Sequence, residues 1–341
     1  MYDAFLLLSF GGPEHPDDVL PFLQNVTRGR GVPPERLAEV AGHYQRFGGV
    51  SPINQQCREL VAAIRADFSV HGLDLPVYWG NRNWRPMLAD TIAQMRDHGV
   101  QRAIALATSA YGSYSSCRQY LGDIAAARAA VGPRAPLVDK LRHFHDHPGF
   151  VEPLADAVKT AFHRLDPAAL ETTRLIFTAH SIPTAMNATS GPDGGRYEAQ
   201  LLETARLVAA RSLPNTGWDL VWQSRSGSPH TPWLEPDIND HLQVLAKEGT
   251  TQVVVSPIGF VSDHLEVIWD LDEEAAATAR QLGLGFARAK TPGTDARFVA
   301  MVRDLVEERM LASSDPTRRG LGTLDHWDVC ASHCCPAPAR R

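Results

Sequence analysis

Three polar clusters in this 341-residue chain follow directly on apolar runs. RLIFTA leads into His180-Ser181-Ile182-Pro183, and DLVW leads into Gln223-Ser224-Arg225-Ser226-Gly227. QVVVSPIGF leads into Ser262-Asp263-His264-Leu265-Glu266. An imidazole exchanges protons near neutral pH, and carboxylates pass protons or bind hard cations. One histidine after a strand often only hydrogen-bonds a loop. Three such loops aimed at one sheet edge favour a shared site, because ligands of open α/β sheets sit beyond the carboxyl ends of the strands.

The segment 263–274 carries six acids: Asp263, Glu266, Asp270, Asp272, Glu273 and Glu274. Glu266, Asp270 and Glu274 stand at i, i+4 and i+8, so a helix would set three carboxylates on one face. Each like-charge pair of that spacing destabilises a helix by about 0.2–0.5 kcal/mol. A solvated acidic face is the plainer reading. Leu265, Val267, Ile268, Trp269 and Leu271 run through the same segment and argue for packing instead. A carboxylate row with a nearby histidine suits a transiently held divalent metal such as Fe(II), not a closed zinc site.

A second constellation is Cys330-Ala-Ser-His-Cys334-Cys335. Three thiolates need one more to complete an all-thiolate site, and Cys117 in Tyr114-Ser-Ser-Cys117 is the better donor. A [2Fe–2S] cluster, a structural zinc and a redox disulfide all remain open on spacing. Cys57 lies in an amphipathic pattern and reads as a small core residue. In His143-Phe144-His145-Asp146-His147-Pro148 the three histidines share one face only if the segment is extended, so a solvated loop entering a helix is the preferred reading and a metal site the alternative.

Elements must position these groups. Apolar runs at 4–10, 76–79, 103–107, 174–179, 218–222 and 251–257 read as six buried strands. Helical periodicity fills the intervals, with Ser51-Pro52 as N-cap and first residue of one helix. Strands alternating with helices predict an α/β fold of mainly parallel sheets in two groups of three. Gly132-Pro133-Arg134-Ala135-Pro136 is the linker candidate, giving domains at 1–135 and 136–310 and a cysteine-bearing extension at 311–341. Gly29-Arg30-Gly31 and Gly320-Leu321-Gly322 complete no phosphate cradle, so no nucleotide cofactor is expected. Net charge of −6 without a basic block argues against nucleic acid. No apolar run nears a membrane span, and MYDAFLLLSFGG lacks the basic start of a signal peptide, so a cytoplasmic location is expected.

Several motifs together resemble one family. Leu8-Ser-Phe-Gly-Gly-Pro13, Gly48-Gly-Val-Ser-Pro52, Thr178-Ala-His-Ser-Ile-Pro183, Trp222-Gln-Ser-Arg-Ser-Gly227, Pro232-Trp-Leu-Glu-Pro236 and Pro257-Ile-Gly-Phe-Val-Ser-Asp-His-Leu-Glu266 are similar, in order, to the signature segments of ferrochelatases. The resemblance covers about residues 4–310 and is closest to the actinobacterial coproporphyrin III branch. It implies two Rossmann-like domains of the type II chelatase fold, with a porphyrin in the cleft and Fe(II) as substrate. His180 matches the histidine facing the macrocycle, and Glu266 its partner across the ring. Asp270 and Glu274 match an acidic ridge on a helix that often contains a π-turn. Ser51, Tyr44 and Tyr120 match porphyrin-contacting positions. Phe10 stands where that branch often has Tyr, which excludes an axial tyrosinate there. Arg28 and Arg30 are candidate propionate partners.

The resemblance also implies a [2Fe–2S] cluster on Cys117, Cys330, Cys334 and Cys335, although the Cys-x3-Cys-Cys spacing is tighter than in several members. Transient contact with haem-pathway enzymes is a further expectation. Protoporphyrin IX as substrate, a cobalt chelatase of sirohydrochlorin type, and a non-catalytic haem-binding or iron-sensing protein are the alternatives.

Overall fold

The structure, a computed structural model, describes residues 1–29, 31–226, 230–311 and 318–337. Arg30, and Gly227 of the second polar loop, lie outside the described residues.

Among the described residues, eight strands form two four-stranded parallel sheets. The first contains β1 (Ala4–Ser9), β2 (Val77–Asn81), β3 (Arg102–Ala107) and β4 (Leu137–Lys140), in the order β2-β1-β3-β4. The second contains β5 (Thr173–His180), β6 (Trp218–Gln223), β7 (Gln252–Ser256) and β8 (Gly285–Arg288), in the order β6-β5-β7-β8. Six strands were expected. The two additions are the edge strands β4 and β8, four residues each and partly exposed, so they lack the continuous apolar signal of the others. Because β4 pairs with β3, the first sheet takes in residues beyond the boundary expected at 135.

The identical strand orders explain why three polar loops converge. In each sheet the chain leaves the first strand to one side and returns on its other side. That leaves a crevice at the carboxyl ends of the two central strands. In the second sheet these strands are β5, which ends in His180, and β7, whose following loop leads to Glu266.

The central strands are apolar on both faces and serve two layers. In β1, Phe5 and Leu7 join one buried cluster and Leu6 and Leu8 another. In β5, Phe177 enters the first cluster while Ile176 enters a third. The cluster holding Phe5 and Phe177 therefore runs through both lobes. It is filled from the helices Ile53–Val70, Pro148–Phe162, Arg196–Ser212 and Ala296–Leu311. Each fully buried Leu, Ile or Phe contributes about 1.5–3 kcal/mol. Cys57 is one of its members, as expected. Polar bonds also join the lobes: Tyr111 Oη donates to the Ile258 carbonyl at 2.8 Å, and the Asp263 amide donates to Gln56 Oε1 at 2.8 Å. Among the described residues no helix is long and apolar enough to cross a membrane.

Candidate active site

His180 is the last residue of β5, in register with Gln223 of β6. Its carbonyl accepts from Tyr197 Oη at 2.9 Å, and its Nδ1–H donates to the Ser181 carbonyl at 2.5 Å. A carbonyl only accepts, so the proton sits on Nδ1 and Nε2 is the basic nitrogen. Nε2 lies 3.8 Å from Glu266 Oε1, and both side chains open into the cleft.

The acidic segment does not form one regular helix. A single α-turn at Leu265–Val267 passes into a π-helix at Ile268–Ala275 and then into the helix Ala276–Gln281. Wider π-turns are uncommon and cluster at functional sites. Asp270 accepts from Ser224 Oγ in a short hydrogen bond and from Gln223 Nε2 at 3.3 Å. Ser224 holds a φ of 60°, a conformation that a serine rarely adopts, and its hydroxyl is one of the two groups that bond Asp270. Desolvation between the lobes pushes Glu266 up to about 7. Asp270 also rises to about 7, through desolvation and then the Glu266 charge. Burial, with the neighbouring His180, pulls His264 down to about 4.

The six acids divide. Arg288 pairs with Asp263 at 3.0 Å and with Asp272 at 2.6 Å, which removes both from the row. Glu273 and Glu274 are exposed beyond it. The inner pair, Glu266 and Asp270, is therefore the part of the row that meets His180. The sequence hid this division because Arg288 comes from β8, an unrecognised strand.

The first lobe faces this pair with aromatic groups. Tyr44, on the helix Pro34–Arg46, packs on Phe22 with ring centres 6.0 Å apart. Burial and the Glu266 charge push its hydroxyl far above the usual range. His43 stacks on Trp269 of the π-helix with ring centres 3.9 Å apart, closing one end of the cleft. Trp269 reads in the sequence as a packing residue, but nothing there marks His43 as its partner. Phe10 follows β1 and is 37% exposed, edge-on to Phe22. Tyr120 is buried beneath the Arg82 guanidinium, which lies 4.6 Å from its ring centre. Ser51 is also buried, with its amide bonded to the Pro13 carbonyl at 2.8 Å. Gly49 is required here: it has a φ of 73°, and a Cβ would stand 2.5 Å from Pro16 Cα.

Far from His180 in sequence, the extension folds back on the body. Cys117 is buried on a π-turn at Tyr114–Arg118, and Cys334 and Cys335 are buried with their Sγ atoms 3.7 Å apart. Cys117 donates to Cys330, which holds the Cys330 thiol below its ordinary range. The histidines at 143–147 correct the solvated-loop expectation, since His143, His145 and His147 are all buried. The reason is the extension, which covers them. His145, Asp146 and His326 each offer a ligand atom within 4.8 Å of the others, a metal-binding spacing separate from the His180 site.

Comparison with known proteins decides the family. The ferrochelatase family model matches residues 2–310. The chain belongs to the ferrochelatase family. It is 55% identical over 355 residues to the coproporphyrin III ferrochelatase of Streptomyces coelicolor, covering 100% of this chain and 95% of that protein. The corresponding protein of Nocardia farcinica is 56% identical over 350 residues, covering 99% of this chain and 97% of that one. Among solved structures, SirB from Bacillus subtilis with Fe3+ superposes with a TM-score of 0.57 at 11% identity. It covers 94% of this chain and 100% of that one, and shares the fold alone. The two-lobed architecture is thus that of a type II chelatase. As a ferrochelatase, the chain is an enzyme that inserts Fe(II) into a porphyrin.

Proposed function

We propose that this ferrochelatase metallates coproporphyrin III, giving the iron complex, with His180 and Glu266 at the reacting centre. The observation that carries the catalytic reading is the basic Nε2 of His180 facing a carboxylate raised to about 7. Metallation exchanges one Fe(II) for two pyrrole protons. His180 Nε2 accepts a proton directly, with Nδ1–H already committed to Ser181. Glu266 sits between two charge states near neutral pH, so it can hold iron as a carboxylate or take up the second proton. Asp270 continues the path outward, held by Ser224 and Gln223, and Glu274 marks its exposed end.

Phe10 and Tyr44 form the porphyrin wall in this reading, with Ser51 and Tyr120 backing it. Phe10 offers an apolar face and no oxygen ligand for iron. The substrate choice is supported by more than 50% identity, over almost the whole length, to proteins named for coproporphyrin III. Comparing initial rates with coproporphyrin III and protoporphyrin IX at equal Fe(II) tests it. A clear preference for coproporphyrin III is expected, and equal rates would overturn the choice.

The cysteine site fits a [2Fe–2S] cluster by its donor set. Four thiols converge from a loop of the first lobe and from the extension, and the Gly191 amide donates to Cys335 Sγ at 3.1 Å. Cys117, Cys330, Cys334 and Cys335 would hold it, and it would supply one-electron chemistry or a structural bridge. Metallation itself requires no electron from it. The reading also includes work in the cytoplasm and transient contact with haem-pathway enzymes.

A further inference from the structure

The extension docks on the second lobe through a polar nest that the metallation reaction does not use. The Leu321 amide donates to the Asp146 carbonyl at 2.9 Å, and the Gly322 amide donates to Asp146 Oδ2 at 3.2 Å. The Thr323 amide donates to Glu203 Oε1 at 2.6 Å. This approach explains Gly320-Leu321-Gly322. A Cβ on Gly320 would stand 2.5 Å from Asp146 Oδ2, and one on Gly322 would overlap the Glu203 carboxylate.

Docking leaves three imidazole nitrogens of this segment, His143 Nε2, His145 Nδ1 and His147 Nε2, without a hydrogen-bond partner among the described residues, and His145 is 0% exposed. A buried nitrogen left unpaired in this way is destabilising unless something binds it. The other nitrogen of His145, Nε2, lies 3.0 Å from Glu203 Oε2. That carboxylate only accepts, so Nε2 carries the proton and Nδ1 presents a lone pair. A carboxylate that fixes the tautomer of a histidine is the usual support behind a metal-binding imidazole. His326 completes the group: Nε2 lies 3.1 Å from each oxygen of Asp146, and its ring centre lies 5.3 Å from that of His145. Arg142 stands 3.5 Å from His326 Nδ1, but it is committed to Glu308 at 2.6 Å and to the His143 carbonyl at 2.9 Å.

We propose that His145, Asp146 and His326 bind one divalent transition-metal ion that clamps the extension to the second lobe, with Glu203 orienting His145. Two imidazoles and one carboxylate suit Zn(II), Fe(II) or Co(II), with further positions open to water. On binding, the metal replaces the proton that His326 Nε2 shares with Asp146. That proton moves to Nδ1 or to solvent. The clamp lies four residues before Cys330 in sequence, so it also fixes where the three terminal cysteines meet Cys117.

The test uses the full chain with all its cysteines and a His180→Ala background, which removes the porphyrin-site imidazole. Zn(II) binding is titrated against a chromogenic chelator. The chain should bind one more equivalent than its His326→Ala variant. Glu203→Gln should retain the site with affinity lowered about 10–100-fold. Equal stoichiometry and affinity in the parent and the His326→Ala variant overturn the proposal. Co(II)-soaked crystals give an answer free of variants. An anomalous peak bounded by His145, Asp146 and His326 supports the site, and no peak there at full Co(II) loading overturns it.

Discussion

His180 Nε2 stands 3.8 Å from Glu266 Oε1, too far for a direct hydrogen bond and close enough for both to meet one pyrrole nitrogen or one metal ion. The Ser181 carbonyl holds the imidazole through Nδ1, and Tyr197 Oη holds the His180 backbone carbonyl. His180→Ala should therefore lower metallation by about 10²–10⁴-fold while leaving the fold intact. Porphyrin absorbance and a circular-dichroism melt measure the two effects. Near-normal turnover would remove His180 from the reaction.

Glu266 and Asp270 both titrate near 7, each raised by desolvation. Below that range both are neutral and lose their hold on iron. The rate should rise with pH through about 7, with apparent values belonging to the pair. Glu266→Gln should lower the rate and remove one of the two ionisations from the profile. An unchanged acidic limb in this variant would disconnect Glu266 from the profile.

The same shift has a stability consequence. Asp270 is raised in the folded chain above its unfolded value near 3.9. Its contribution is neutral below pH 4 and becomes unfavourable as pH rises from about 4 to 7. Asp270→Asn should therefore be more stable than the parent at pH 8, on the order of 1–2 kcal/mol after screening, and nearly equal at pH 4. Urea denaturation at the two pH values measures this. A variant equally stabilised at both would point to packing instead of charge.

Cys334 is buried against Cys335 at the end of the extension. If these thiols hold a [2Fe–2S] cluster, Cys334→Ser should lose the visible absorption of the anaerobically purified protein. An identical spectrum would refute the ligand set.

Gly322 lies against Glu203 with no room for a side chain. Gly322→Ala should loosen the extension, costing about 1–3 kcal/mol. Hydrogen exchange should rise across residues 318–337 and stay unchanged in β1 and β5. Unaltered exchange in both regions would show that the extension is anchored elsewhere.

The central strands and the polar groups at their ends were legible in the sequence. Short continuous apolar runs bounded by turn residues read as buried strands, and His180 ends one of them while the loop after another leads to Glu266. The cysteine grouping was legible as well, since three of the four thiols lie within six residues. Edge strands β4 and β8 were not, because partial exposure dilutes their pattern. Local composition could not divide the six acids, because Arg288 reaches Asp263 and Asp272 only once β8 joins its sheet. Nor could it place the histidines at 143–147. Their polar spelling suits a loop in water, whereas the folded extension buries them with Asp146 and Glu203. Sequence alone determined which groups stand at strand ends, since hydrophobic periodicity is a local property. Tertiary structure decided which charges are neutralised, raised or enclosed, since those outcomes depend on neighbours from other elements, 16 residues away for Arg288 and Asp272 and 180 for Asp146 and His326.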